Sequence, residues 1–476
     1  MKNKVRKIIT AIFLSGTLAL NTIPDISAET LNSKNCYIYA AFENITVRKG
    51  PGTEYDKIGT IKSTGKITYI DEELDKNYIP WYKVKFKNGK TGWITSNYSR
   101  RYIKKSALPE IEKTEKYVSD GTAYGNIYEQ ISDSAEKYNA VGVQVSVIRG
   151  SDGKVFDFAY GWADYGTREM TVDSKMRSAS LSKVATAICA VKMEEQGIVG
   201  LGKNIEKYWD VDIPVKVSLK TLLTHTSTFF NLGYKNTLEE TAEQLQSIGS
   251  FNTKKKPGKA SAFEYNNFAS SIAATTLELA SGVPIEEYAR ENLFSLLDGD
   301  LSYFPGNIKD TDNLITHYDY DHSVELLPKT AKKMVFTGNI GDHAGNYIGG
   351  LTGSASDIAK IFSMLANDGV YGDNRILSEE SVKTLEKRYF TAKEHGGKFK
   401  QCLTLRYYKK LYGTNGLYYH TGNAYGIVSL ASYDPVTKNT VVVMTSGAKQ
   451  SRDKRGIYKI CGEITKEVYK NIDKLQ

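Results

Sequence analysis

The 476-residue chain carries 63 Lys+Arg against 54 Asp+Glu, a formal net charge of +9, with 41% hydrophobic residues, 40 Gly, 10 Pro and 4 Cys. This is the composition of a folded protein, which excludes disordered and fibrous classes, and at roughly 100–200 residues per domain it predicts two or three compact units. No basic cluster interleaved with aromatics reaches the density that nucleic-acid binding needs, so no nucleic-acid partner is expected.

Residues 1–28 read as an export signal peptide. Lys2, Lys4, Arg6 and Lys7 precede an apolar stretch from Ile8 to Leu20, and Ile26-Ser27-Ala28 offers a small-residue cleavage site before Glu29. The apolar run falls short of the roughly 20 residues that a bilayer span takes. A secreted mature chain without a transmembrane anchor is therefore expected. Cys36, Cys189, Cys402 and Cys461 are sparse and widely spaced. Their even number admits two disulfides, but buried, unpaired thiols are the expectation.

Residues 36–98 alternate apolar and polar at period two in short runs, at 45–47, 57–61, 67–70, 81–86 and 91–94. Gly50-Pro51-Gly52, Ser63-Thr64-Gly65 and Asn88-Gly89 supply turns between them, which predicts a small all-β barrel. The stretch Ile45-Thr46-Val47-Arg48-Lys49-Gly50-Pro51-Gly52, followed by Ile58-Gly59, Trp81-Tyr82-Lys83-Val84 and Gly92-Trp93-Ile94, resembles the bacterial SH3-like domains, which commonly hold exported enzymes on peptidoglycan. The resemblance implies a partner in peptidoglycan or another cell-wall polymer. Tyr55, Trp81 and Tyr82 are open between barrel core and ligand-binding face. Residues 99–123, charged and irregular, read as a linker.

From 124 to 475 the periodicity alternates between helix and strand. It predicts a helix over 124–138, strands over 141–148 and 156–160, and a helix over 180–196 that is apolar on nearly every face and stops at Gly197. The stretch 200–400 reads mostly as helix and loop. Strands return at 426–433 and 440–445, and an amphipathic helix closes the chain from about 451 to 472. Strands at both ends with helices between them predict an α/β domain, an antiparallel sheet flanked by helices plus an inserted helical lobe, with a cleft between the lobes.

Three short motifs could carry chemistry there. In Ser180-Leu181-Ser182-Lys183 the three-residue spacing puts the lysine one helical turn from the serine. A lysine in a first helical turn faces the positive end of the macrodipole, and burial also disfavours its charge, which makes Lys183 a candidate general base for Ser180. The helix start also aims the Ser180 N–H outward as one half of an oxyanion hole. The spacing itself is background, since it recurs at Ser63/Lys66, Ser134/Lys137, Ser151/Lys154, Ser446/Lys449 and Ser451/Lys454. Tyr265-Asn266-Asn267 offers a phenol to relay a proton and an amide, Asn267, to hold a substrate backbone. In His420-Thr421-Gly422-Asn423, Gly422 on a strand edge admits a substrate backbone and the Asn423 N–H is a second oxyanion donor. His343/Gly345 and His395/Gly397 repeat the His-x-Gly spacing.

Arg177-Ser178-Ala179-Ser180-Leu181-Ser182-Lys183, Leu222-Leu223-Thr224-His225-Thr226-Ser227, Pro257-Gly258 to Tyr265-Asn266-Asn267, Gly349-Gly350-Leu351 with Asp357-Ile358-Ala359, and His420-Thr421-Gly422 resemble, in this order, the β-lactamase-related serine hydrolases of the class C type. The resemblance implies a β-lactamase/transpeptidase-like fold, no cofactor and no metal. It implies Ser180 as acylated nucleophile, Lys183 and Tyr265 as proton-transfer partners, and Asn267, His420, Thr421, Gly422 and Asn423 as substrate-binding residues. His420 stands where class C β-lactamases carry lysine, as in carboxypeptidase, aminopeptidase and esterase members, and His225 reads as structural. The expected activity is that of a cell-wall-associated, penicillin-binding D-alanyl-D-alanine carboxypeptidase acting on a D-alanyl substrate. A D-alanyl esterase on teichoic acid and an idle peptidoglycan-binding protein are the alternatives. His317-Tyr318-Asp319-Tyr320-Asp321-His322 has metal-ligating residue types, but its polar alternation reads as a solvated loop.

Overall fold

The computed structural model describes residues 35–104, 116–235 and 237–476. The signal read over 1–28 and much of the linker lie outside the described residues. The N-terminal unit is built from β1 (Cys36–Ala40), β2 (Ile45–Arg48), β3 (Lys57–Ile61), β4 (Gly65–Leu74), β5 (Pro80–Lys85), β6 (Thr91–Thr95) and β7 (Ser99–Ile103), in the spatial order β7-β1-β4-β5-β6-β2-β3. Ile38, Ile45, Val47, Tyr82, Val84 and Ile94 point into one core, as period-two alternation requires. Trp81 and Tyr82 are buried and Tyr55 is exposed. Tyr82 belongs to the barrel core, and the Trp81 Nε1–H donates to Asp75 Oδ2 at 3.0 Å.

Strand β7 lies where a linker was expected. Its charge hides the alternation: Arg101 turns into the barrel, with the Tyr69 and Tyr82 rings 5.8 and 5.4 Å from its guanidinium, while Arg100 turns outward. Arg101 is ion-paired with Glu72, whose second oxygen accepts from Thr330 of the larger unit. The supposed solvated loop is also structured. His317–Tyr318 and Val324–Leu326 form a hairpin that extends the barrel sheet, with Val324 paired to Arg101. Tyr102 donates to Asp321 at 2.7 Å, Arg100 lies 3.5 Å from Glu325, and Tyr78 stacks on His343 at 4.2 Å. The barrel is thus packed against the second unit and shares a sheet with it.

The second unit begins with α1 (Ala123–Lys137), β8 (Gly142–Ile148), β9 (Val155–Asp164) and β10 (Arg168–Glu169). Among the described residues its sheet runs β10-β9-β8, then Thr440–Ser446, Ile427–Tyr433, Leu417–Ala424, Arg406–Tyr408, Gly397–Gln401 and Phe390–Glu394, antiparallel throughout. The two ends of the domain meet at β8 and Thr440–Ser446, as the order of elements predicts. Val441 and Val443 pack toward α1 and the closing helix, Val442 and Met444 toward the helical lobe. A strand covered on both faces reads as an unbroken apolar run. The hairpin Phe390–Gln401 was hidden among exposed Lys393, Lys398 and Lys400. The closing helix starts at Lys459, later than its amphipathic pattern suggests, because Asp453 Oδ1 accepts from the Arg455 and Ile457 amides in a turn with Gly456 at φ +77°. All four cysteines are buried and free. No helix among the described residues is long and apolar enough to cross a membrane.

Candidate active site

The turn that carries Ser180 is held from four sides. Helix α2 (Ser182–Glu195) has no side-chain cap and is entered through the 3₁₀ turn Ala179–Leu181, with Ala179 at φ +53°. A non-glycine residue in that region costs on the order of 1–3 kcal/mol and persists only where its surroundings enforce it. Here Ser178 N donates to Leu351 O at 2.7 Å, Ser429 Oγ to Ser178 O at 2.9 Å, Ser182 Oγ to Ala179 O at 2.6 Å, and Leu351 N to Ser182 Oγ at 3.0 Å. Ser180 therefore sits just ahead of α2 rather than capping it. Lys183, 3% exposed, places Nζ 2.9 Å from Ser180 Oγ and donates to Ile348 O at 2.9 Å. No carboxylate pairs with it among the described residues. The lysine of the Ser134/Lys137 pair, by contrast, is drawn to Glu463 at 2.8 Å.

The second motif is pinned by His225. Its carbonyl accepts from Glu264 N at 3.0 Å and its Nδ1 from Asn266 N at 3.3 Å, bracketing Tyr265, whose ring centroid lies 4.5 Å from the imidazole. Burial, reinforced by the charges of Lys183 and Arg406, pushes His225 down to about 3, so the imidazole is a neutral acceptor. Lys183 Nζ lies 5.3 Å from the Tyr265 ring centroid. Asn266 caps the following helix and donates to Phe229 O at 2.7 Å. Asn267 starts that helix with an exposed side chain.

The third motif lies on the strand Leu417–Ala424. Of this strand, Arg406–Tyr408 covers only Leu417–Tyr419, so among the described residues His420–Ala424 has a strand neighbour on the Ile427–Tyr433 side alone and presents an open edge. His420 is 1% exposed, and burial followed by the Arg406 and Lys183 charges holds its pKa well below the ordinary value. It brings no positive charge to the cleft. A side chain at Gly422 would strike Ser429 Oγ and come 2.6 Å from Ser178 O, so this glycine allows the close approach of the turn that carries Ser180. Thr421 is half-buried on the edge, and Asn423 donates to Gln450 at 2.8 Å. The structure thus brings Ser180, Lys183, Tyr265 and His420 together, the last two with ring centroids 6.4 Å apart.

Arg406 was not singled out from the sequence. It is buried, lies 2.8 Å from Glu394, and stacks over Phe399 at 4.3 Å with Tyr265 at 5.7 Å. One arginine inside the apolar and aromatic run Leu403–Tyr408 is the signal that marks it.

A family model described as Beta-lactamase matches residues 126–460, most of the chain. The chain belongs to the beta-lactamase family. A second model, Bacterial SH3 domain, matches residues 43–100. Membership in the beta-lactamase family makes the larger unit a serine hydrolase and agrees with the order of motifs around Ser180. Solved structures of this fold include the octameric penicillin-binding protein homologue from Pyrococcus abyssi, 24% identical at a TM-score of 0.57 over 68% of this chain and 73% of that one. Another is the D-amino acid amidase from Ochrobactrum anthropi SV3, 18% identical at 0.59 over 74% and 99%. A third is the Beta-Lactamase/D-Alanine Carboxypeptidase from Pseudomonas syringae, 15% identical at 0.58 over 74% and 99%. Among curated proteins, Escherichia coli YgiM is 31% identical over 109 residues, 22% of this chain and 50% of that one. The chain spans about half the length of that relative.

Proposed function

We propose that the protein is an exported, cell-wall-associated serine hydrolase that acts through an acyl-enzyme on D-alanyl substrates, as a D-alanyl-D-alanine carboxypeptidase. The observation that carries this reading is the 2.9 Å approach of a buried lysine amine, unpaired with any carboxylate among the described residues, to Ser180 Oγ. A free amine has two N–H bonds and one lone pair. It can donate to Ile348 O while its lone pair takes the Ser180 proton as Oγ adds to the carbonyl carbon. The carbonyl oxygen becomes an oxyanion facing the backbone N–H groups of Ser180 and Asn423. Collapse breaks the scissile bond, and the proton passes by way of Tyr265 to the leaving amine. Water adds to the acyl-enzyme by the same relay and releases Ser180. Asn267, Thr421 and the edge at Gly422 hold the substrate backbone. The likeness of the N-terminal unit to wall-binding modules supports the location, and the basic and apolar N-terminus supports export.

Intact-mass labelling with a fluorescent β-lactam and a fluorophosphonate tests the reading. One adduct on Ser180 is expected, and none on Ser180→Ala. D-alanine release from a pentapeptide rather than from D-alanylated teichoic acid supports the carboxypeptidase, and the reverse moves the assignment to an esterase. No adduct with either reagent overturns the enzyme and leaves a wall-binding protein.

A further inference from the structure

Between the two units lies a cleft of about 360 Å³, lined among others by Asn97 and Arg100 from the barrel and by Arg177, Glu325, Asn346 and Tyr425 from the hydrolase unit, the Glu325 carboxylate being taken up by Arg100. Arg177 stands three residues ahead of Ser180, in a two-residue strand paired with Thr352–Gly353. It is 3% exposed, its guanidinium lies 3.8 Å from the Tyr425 ring centroid, and its Nη2 reaches Asn346 Oδ1 only at 3.5 Å. Its Nε and the Asn346 Nδ2 are both buried without an acceptor among the described residues. No carboxylate lies within ion-pairing distance of Arg177 among the described residues. Its neighbours differ: Lys175 has Asp357 at 2.7 Å, and Arg100 has Glu325 at 3.5 Å. His317, buried nearby, does not supply a second cation, because burial and the Arg177 charge push it down to about 3. Taking a charge out of water without a partner carries a large penalty, which an anion entering the cleft would relieve. The cleft also shares Ile79 and Asn97 with a second cavity of about 530 Å³ on the barrel, where Phe42 and Tyr98 stand exposed and edge-to-face at 5.9 Å.

We propose that this cleft is a substrate subsite for a carboxylate or phosphate group, held by Arg177 with Asn346 and walled by the barrel, so that the SH3-like unit completes the substrate-binding surface beside Ser180. This deepens the hydrolase reading and rests on it. An extended anionic polymer would run from the barrel cavity through the subsite toward the open edge at His420–Ala424. A guanidinium–oxyanion pair of this kind discriminates by about 10- to 100-fold.

The test uses the full chain and the ratio of kcat/KM on an anionic D-alanyl substrate to kcat/KM on neutral p-nitrophenyl acetate. One anionic arm is a D-alanyl peptide with a free terminal carboxylate, with its amidated form as control. The other is D-alanyl glycerol phosphate, with D-alanyl glycerol as control. Arg177→Gln is expected to lower the ratio at least tenfold through KM on one arm, which names the source of the anion, and Arg177→Lys to recover part of it. Inorganic phosphate should compete with that substrate in the wild type and not in Arg177→Gln. Should Arg177→Gln fail to fold, Tyr425→Ala, at a residue 42% exposed, removes the ring beneath the guanidinium and should lower the ratio about threefold. An unchanged ratio on both arms in whichever variant folds overturns the subsite. Labelling of wild-type Ser180 by fluorophosphonate separates that outcome from failure of the hydrolase reading, since an adduct with an unchanged ratio leaves the enzyme standing and the subsite refuted.

Discussion

Buried basic side chains are treated differently in the two units. In the barrel, Arg101 is fully enclosed but faces Glu72, lies between two tyrosine rings and connects through Glu72 to Thr330 of the neighbouring unit. Lys183 and Arg177 in the hydrolase unit are equally enclosed, yet no acid answers either of them among the described residues. Lys175, in the same unit, has Asp357 and Asp300 and belongs with Arg101. A paired buried charge is satisfied within the fold and holds elements in register. An unpaired one leaves bonding capacity that only a reacting group or a ligand can use. Both unpaired basic side chains lie within three residues of Ser180.

The largest effects are expected at Ser180 and at the unpaired lysine that touches it. Ser180→Ala should lower turnover by about 10⁴-fold or more, as loss of a covalent nucleophile does, with thermal stability close to wild type. Lys183→Ala and Tyr265→Phe should each cost about 10²–10⁴-fold in kcat with smaller changes in KM, read from steady-state hydrolysis. A comparable loss for Lys137→Ala would break the contrast, because Lys137 shares the sequence spacing but is bound to Glu463.

The paired group should show the opposite profile. Arg101→Ala leaves Glu72 buried without its counter-charge, a defect that costs about 3–5 kcal/mol, and it loosens the contact at Thr330 as well. Urea unfolding should show the destabilisation. Hydrolysis of a small neutral ester by the molecules that remain folded should change little, and a selective loss of kcat there would place Arg101 in the chemistry.

Much of this contrast was legible in the residues. The order of the three motifs located Ser180, Lys183, Tyr265 and His420, and apolar periodicity located α2 and the sheet strands at both ends of the domain. Charged alternation was misread wherever the charged residue itself is buried. Strand β7 was taken for linker because Arg101 occupies a core position, and His317–His322 was taken for solvated loop although His317 and Tyr318 are buried against the barrel. The bracketing of Tyr265 by His225, 39 and 41 positions from the residues it holds, and the approach of Arg406 to Tyr265, 141 positions away, are contacts that no local pattern encodes. That Gly422 must also lack a side chain to admit Ser178 O and Ser429 Oγ is a packing demand that no local pattern shows.

Protonation gives the smallest effect and sharpens the same comparison, since all six histidines of the chain lie in the hydrolase unit. An unfolded histidine titrates near 6.5, whereas burial drives folded His225 down to about 3. Above pH 6.5 both states are neutral and the full stability is present. As pH falls below 6.5 the unfolded chain takes up a proton that the folded chain refuses, so stability declines until the folded pKa is reached, by up to ~1.4 kcal/mol per pH unit for one such histidine. His225→Asn retains an acceptor for the Asn266 amide but cannot titrate. Its urea midpoint should therefore fall less steeply than that of wild type between pH 6.5 and 5, and parallel slopes would show that His225 is not held neutral by its surroundings.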